Sequence, residues 1–209
     1  MARGRFLSLE GGEGVGKSTQ LAALSDALRA RGIDVLVTRE PGGSEGAEEI
    51  RRLLLEGGEG RWNPRAEALL FAAARSDHVE KVIRPALEAG QWVLSDRFLD
   101  SSLAYQGEAG GLGREAIRNL HRFGSEDFLP DRTLLLALPE GEGGRRARSR
   151  DGEASDRIGG RAADYHAAVD RGFAAMADAE PVRVRTIDAA GRPEEVTERL
   201  LEALADLLP

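Results

Sequence analysis

The chain has 209 residues, 41% of them apolar and 31% charged, with a formal net charge of −7 and no cysteine. That length suits one well-buried domain over residues 1–209 and is short for two, while the acidic balance argues against nucleic acid or anionic membranes as partners. Without cysteine there is no disulfide framework and no thiolate chemistry, and no apolar run approaches the roughly 20 residues of a membrane span or forms a signal-peptide core near the start, so a cytoplasmic protein is expected.

In chain order, Phe6-Leu7-Ser8-Leu9 reads as a strand running into a glycine-rich turn. Leu21, Leu24 and Leu28 recur at helical spacing, and Gly32 stops that helix. Val35-Leu36-Val37 is a second strand. After the Pro41-Gly42-Gly43 turn, Ser44 or Glu45 caps a helix that runs through Leu55. Glu56 to Pro64 reads as loop, and Arg65 to about Ala89 as a long helical region that Pro85 breaks or bends. Trp92-Val93-Leu94 leads to Ser95-Asp96, a strand ending in a carboxylate. Gly107 to Gly113 reads as a flexible loop. Thr133 to Leu138 is an apolar run of the kind buried on both faces of a parallel sheet. A helix around Tyr165 to Ala177, a strand over Val182 to Ile187, and a final helix lined by Val196, Leu200, Leu204 and Leu207 complete the series. The expected fold is α/β: a central parallel five-stranded sheet with helices on both faces.

Within this frame Gly11-Gly12-Glu13-Gly14-Val15-Gly16-Lys17-Ser18-Thr19 completes the phosphate-binding P-loop pattern. Glycines let successive N–H groups converge on an anion, and the helix that follows adds its positive end. Lys17 supplies a point charge for β- and γ-phosphates, and the Ser18 hydroxyl is a hard ligand for Mg²⁺. Only 2 of the 29 basic residues are lysine, so a lysine at this position answers a specific need for an ammonium. Ligands of such sheets sit beyond the C-terminal strand ends. Three segments fall there: the P-loop, Arg39-Glu40-Pro41 and Asp96-Arg97.

Charge is unevenly spread. Residues 145–161 carry six arginines (145, 146, 148, 150, 157, 161) against three acids, so the segment is +3 in a chain that is otherwise −10. Such an island fits a lid closing over phosphates; the alternative is a solvated helix face. A nucleotide switch reading guanine should carry Asn-Lys-x-Asp, which is absent. A small-molecule phosphotransferase and an ATPase regulating a partner both remain open at this point.

The wider pattern resembles bacterial thymidylate kinase along nearly the whole length. Beside the P-loop, the matching blocks are Thr38-Arg39-Glu40-Pro41-Gly42-Gly43, Phe71-Ala72-Ala73-Ala74-Arg75, Asp96-Arg97-Phe98, Ser101-Ser102-Leu103-Ala104-Tyr105-Gln106-Gly107, Pro130-Asp131-Arg132-Thr133, Asp156-Arg157-Ile158 and Thr186-Ile187-Asp188-Ala189. The resemblance implies ATP- and Mg²⁺-dependent phosphorylation of dTMP; another nucleoside monophosphate kinase is the alternative. It implies that the P-loop residues and Arg146 bind ATP, with Ser18 and Asp96 serving the metal. Glu13 would meet the 3′-hydroxyl of dTMP, and Arg51 and Arg97 would hold its phosphate. Phe71 would stack on thymine and Arg75 would reach its O4 edge. Glu40, Pro41, Ser101, Ser102, Tyr105 and Gln106 would finish the pocket, Tyr105 crowding the 2′ position. Some relatives place an arginine in the P-loop where this chain has Gly14. The lid then has to supply that charge, chiefly through Arg150, with Arg146, Arg148 or Arg157 as alternatives. Lys17, Arg97 and Arg150 are thus the expected catalytic residues. A homodimer is also implied, with the helices around Ala47–Leu55 and Arg65–Ala74 as contacts.

Overall fold

The computed structural model describes residues 3–58, 60–139, 141–151 and 157–209, with the backbone alone for residues 147–151. Strands β1 (Phe6–Glu10), β2 (Val35–Arg39), β3 (Trp92–Asp96), β4 (Arg132–Ala137) and β5 (Val184–Asp188) pair in parallel in the order β2-β3-β1-β4-β5. Alternation along the strands divides the core between the two faces. Phe6, Val93, Leu135 and Val184 join Phe98, Leu103, Val169 and Phe173 on one side. Leu7, Leu94, Leu134 and Ile187 join Leu24, Leu28, Val196 and Leu200 on the other. Covering both faces is what makes the strands read as continuous apolar runs.

Helix α1 (Lys17–Arg29) follows the P-loop, and α2 (Glu45–Leu55) starts at Ser44, whose Oγ accepts the Ala47 N–H at 3.3 Å. Helix α3 (Pro64–His78) opens the long helical region read from the sequence, which continues to Glu88. Pro85 has no N–H to close an α-helical bond, and the chain widens into a π turn over Val79–Ile83 before the short α4 (Arg84–Glu88). The widening therefore precedes the proline, and the helical backbone continues through it.

The segment expected as a loop begins in helix, and only residues 110–113 lie outside it. After the single turn α5 (Leu99–Ser102), Leu103–Ala109 forms further π turns, and the Gly113 N–H donates to the Gly107 carbonyl at 2.8 Å. This stretch lies against α8 (Ala163–Ala179) at Gly172, where a Cβ would approach the Ala104 Cα to 3.2 Å. Helix α6 (Arg114–Ser125) was not foreseen from the sequence. Of the basic island, residues 145–151 belong to α7 (Glu142–Asp151), while 152–156 lie outside the described residues. Helix α9 (Pro193–Glu202) is shorter than expected, leaving Leu204 and Leu207 in the turns that follow it. No helix among the described residues is long and apolar enough to cross a membrane.

Register brings the three predicted segments together. Leu9 and Arg39 both pair with Asp96, so the P-loop, the Glu40 turn and Arg97 leave the sheet at one edge.

Candidate active site

Beyond β1 the chain turns at Gly11 with φ +138°, where a Cβ would fall 2.5 Å from the Leu136 carbonyl oxygen; only glycine passes there. Gly16 (φ +95°) precedes α1, whose first turn has no acidic residue and no side-chain cap. The first N–H groups and the positive end of the helix therefore face the loop. Lys17 Nζ donates to the carbonyls of Gly11 (3.0 Å) and Gly12 (2.7 Å), which aims the ammonium along the loop. Desolvation, then the charge of Arg97, pushes it down to about 8.

Arg97 is a non-glycine residue at φ +69°. Its N–H donates to Leu9 O at 3.0 Å and its carbonyl accepts from Ser95 Oγ at 2.7 Å, so the strained turn is held from both sides. The guanidinium spans the site floor. Nη1 reaches Gly11 O (3.2 Å) and Ser101 Oγ (3.0 Å), and Nη2 reaches Glu13 Oε1 (2.9 Å) and Tyr105 OH (3.3 Å). Burial opposes ionisation of Glu13, but Arg97 and Lys17 outweigh it and hold the carboxyl below its ordinary value. Beneath them the fully buried Glu10 accepts the Phe98 N–H (2.7 Å) and the Ser101 hydroxyl (2.6 Å). Burial, then the charge of Asp100, pushes Glu10 up to about 8.

Arg75 is aimed by a second buried network. Its Nε donates to Glu40 Oε2 at 2.7 Å, and Nη2 donates to Ser102 Oγ (2.7 Å) and Phe98 O (3.2 Å). Nη1 makes none of these bonds, and Arg75 is part of the cavity lining. Glu40 Oε1 also meets His78 Nδ1 (3.1 Å), and His78 Nε2 meets Thr38 Oγ1 (2.7 Å). Burial works against the Glu40 carboxylate, yet Arg75 and then His78 keep its value low.

These groups line one cavity of about 530 Å³. Of the residues anticipated from sequence, it takes in Glu13 to Thr19, Glu40, Pro41, Arg51, Phe71, Arg75, Asp96, Arg97, Ser101, Ser102, Tyr105 and Gln106. Arg51 Nη1 donates to Pro41 O at 2.7 Å. Gly11 and Gly12 contribute as acceptors for Lys17 rather than as lining. Arg146 is exposed and paired with Glu142, away from the lining. The side chains of Arg148 and Arg150 lie outside the described residues. Arg157 is engaged elsewhere, with Glu67 (2.6 Å) and Leu54 O (2.9 Å). The sequence reading missed Leu55, Phe98 and Ile158 on the cavity wall and the buried carboxylates of Glu10 and Glu67. Glu67 was detectable in principle, since it shares the i, i+4, i+8 face of α3 with Phe71 and Arg75.

Asp96 ends β3 at the cavity with its Oδ1 buried and unpartnered among the described residues, across from the exposed Ser18. A single carboxylate and a hydroxyl suit Mg²⁺, which binds through one or two protein oxygens together with substrate phosphates.

Comparison with known proteins gives a consistent result. The model of the family described as thymidylate kinase matches residues 9–200. The chain is 64% identical over 206 residues to the thymidylate kinase of Rhizorhabdus wittichii, covering 99% of each chain. It is 49% identical over 209 residues to that of Gluconobacter oxydans, covering 99% of this chain and 96% of the other. Among solved structures, the crystal structure of thymidylate kinase from Ehrlichia chaffeensis superposes with a TM-score of 0.79 at 28% identity, covering 97% of this chain and 99% of that one.

Proposed function

Because the chain belongs to the thymidylate kinase family, we propose that it transfers the γ-phosphoryl group of ATP to dTMP, giving dTDP and ADP, with its own residues in the following roles. The loop from Gly11 to Thr19 cradles the donor phosphates, and Lys17 neutralises charge on the β- and γ-groups. Arg97 and Arg51 hold the acceptor phosphate through guanidinium forks. Phe71 stacks on the base, and Arg75 Nη1 donates to its O4 edge. Glu13 takes the 3′-hydroxyl. Tyr105 crowds the 2′ position, and Ser101, Ser102, Gln106, Glu40 and Pro41 complete the pocket. Arg150 meets the transferred group. Ser18 and Asp96 hold Mg²⁺, which when bound supplies charge neutralisation at the phosphates.

The acceptor phosphate dianion is already a nucleophile, so this chemistry needs no side-chain base. Catalysis consists of aligning two anions in line and balancing the charge that spreads over the transferred group. The observation that carries the reading is the meeting of the P-loop with Arg51, Arg75 and Arg97 around one cavity of about 530 Å³. Turnover of a nucleotide panel with ATP tests it: dTMP should exceed dUMP, and dUMP should exceed dCMP, in kcat/KM. Comparable rates on AMP or UMP would overturn the substrate, and ATP hydrolysis without acceptor phosphorylation would overturn the transferase reading.

We further propose a homodimer acting in the cytoplasm. Its support is the row of exposed apolar side chains Leu53, Leu69 and Phe123 on α2, α3 and α6, helices packed side by side. Phe123 is 93% exposed, an unfavourable state for a lone aromatic ring. Light scattering should give twice the chain mass for the wild type and the monomer mass for Phe123→Glu; a monomeric wild type at micromolar concentration would overturn the dimer.

A further inference from the structure

Glu67 has no place in the roles above, yet the residue is 3% exposed and its carboxylate ties together two segments that border the cavity. Oε1 accepts from Gln106 Nε2 at 3.1 Å. Oε2 accepts from Arg157 Nη2 and Arg161 Nη2, each at 2.6 Å. Arg157 also donates from Nε to the Leu54 carbonyl at 2.9 Å, one of the last carbonyls of α2. The two arginines flank a short turn, and between them stands Ile158, 8% exposed and part of the cavity lining with Leu55 and Phe71. This turn belongs to no strand or longer helix, so side-chain contacts set its position. Arg161 adds a bond to Tyr165, whose hydroxyl donates to Tyr105 O at 2.8 Å, and His166 Nε2 contacts Gly159 O at 3.1 Å.

We propose that Glu67 is a positioning residue that fastens Arg157 and Arg161 and thereby seats Ile158 as the apolar wall of the acceptor pocket, setting affinity for the nucleoside monophosphate. The inference rests on the acceptor-site reading given above. Its physical basis is charge. Arg157 has a side chain only 3% exposed, and Glu67 is the carboxylate that meets it there. Neutralising Glu67 leaves a buried guanidinium without a counterion, a state that is relieved only if the arginine moves to water. Ile158 is the next residue and must move with it. The P-loop and Lys17 are on another element, so donor binding should not change.

The test uses the whole enzyme carrying Glu67→Gln, which keeps the side-chain shape and removes the charge. The acceptor KM should rise roughly tenfold, with the ATP KM within about twofold and kcat within about threefold, the pattern of lost ground-state binding. Ile158→Ala should raise the acceptor KM similarly. The double variant should be no worse than the poorer single one, because both changes remove the same wall. An unchanged acceptor KM in Glu67→Gln, or effects that multiply in the double variant, would overturn the proposal. Should Glu67→Gln fail to fold, Arg161→Gln gives a second measurement. That arginine is 19% exposed and its loss leaves Glu67 paired with Arg157, so the acceptor KM should rise about threefold with ATP unaffected. No change there also overturns the role. A wild-type enzyme that does not phosphorylate dTMP defeats the functional reading itself; dTMP turnover indifferent to Glu67 defeats only the seating of Ile158.

Discussion

Glu40→Gln offers a severe test of how the site is aimed. The carboxylate is 3% exposed, bonded to Arg75 on one oxygen at 2.7 Å and to His78 on the other at 3.1 Å. An amide of the same shape has one acceptor where the carboxylate has two, so either Arg75 or His78 meets an N–H instead of an oxygen. Arg75, whose side chain is 4% exposed, then keeps its charge without a counterion. Breaking a buried ion pair from one side costs about 3–5 kcal/mol. For a chain of this size each kcal/mol lowers Tm by about 2–4 °C, so calorimetry should show a fall of roughly 6–20 °C. Glu49→Gln is the control: its pair with Arg52 is solvent-exposed on both sides, and the loss should stay under about 1 kcal/mol. The effect has a pH signature. The folded value of Glu40 lies below its ordinary 4.5, so its contribution is full above 4.5 and is lost as pH falls through the folded value. The gap in Tm between wild type and variant should therefore close in acid. A Tm within about 3 °C of wild type at neutral pH would refute the reasoning, since it would mean that Arg75 does not depend on Glu40.

Lys17→Ala should cut turnover by about 10²–10³-fold while Tm stays near wild type, because the lesion is a missing charge on a loop; near-normal turnover would sink the P-loop assignment. Arg75→Gln should narrow the preference for dUMP over dCMP, which in the wild type should be about tenfold or more, since glutamine presents either a donor or an acceptor to position 4. An unchanged ratio would mean that Arg75 does not read the base. Arg150→Ala should lower kcat more than it weakens dTMP binding, as expected of a contact made chiefly in the transition state; unchanged kcat would move that role to Arg146 or Arg148. Burial, then the charge of Arg75, lowers His121 from 6.5 to about 4, so the folded chain binds fewer protons than the unfolded one in that window. Stability from this group is full above 6.5 and is lost as pH falls toward 4, by about 3 kcal/mol. His121→Gln should remove that slope in denaturant melts. The comparison must be a difference between the two proteins, because Glu10, raised from 4.5 to about 8, adds stability as pH falls through a window that overlaps that of His121.

The elements that sequence made legible are those whose local pattern has a single physical cause. Strands buried on both faces appear as apolar runs, and the P-loop appears as glycines at positions of positive φ, as at Gly11 and Gly16. Helix α6 escaped because it faces inward only at Ile117, His121 and Ser125, and three arginines and a glutamate share its twelve residues. Its approach through Gly107–Gly113 also looks like a loop in sequence, yet π turns and contact with α8 hold it in place. The helical region through Glu88 was legible, but the π turn at Val79–Ile83 was not: a proline announces that a hydrogen bond is lost, not where the helix will absorb the loss.

What stayed hidden was the pairing of buried charge. Arg75 meets a carboxylate 35 residues away, Arg157 one 90 residues away, and Arg183 reaches Asp100 across 83 residues. In sequence such residues are indistinguishable from a solvated face. The sequence identified Arg75 and Arg97, and Glu40 and Glu13 with them, because all four stand in recognisable blocks, but no local pattern reveals that Glu40 aims Arg75 and Glu13 aims Arg97. The consequence is functional. A guanidinium held by a fixed carboxylate cannot rotate away, so Arg75 and Arg97 are oriented before any ligand arrives, and less reorganisation is left for the moment of transfer. For a reaction whose only demand is to align and neutralise phosphates, the acids behind the arginines belong to the mechanism as much as the arginines do.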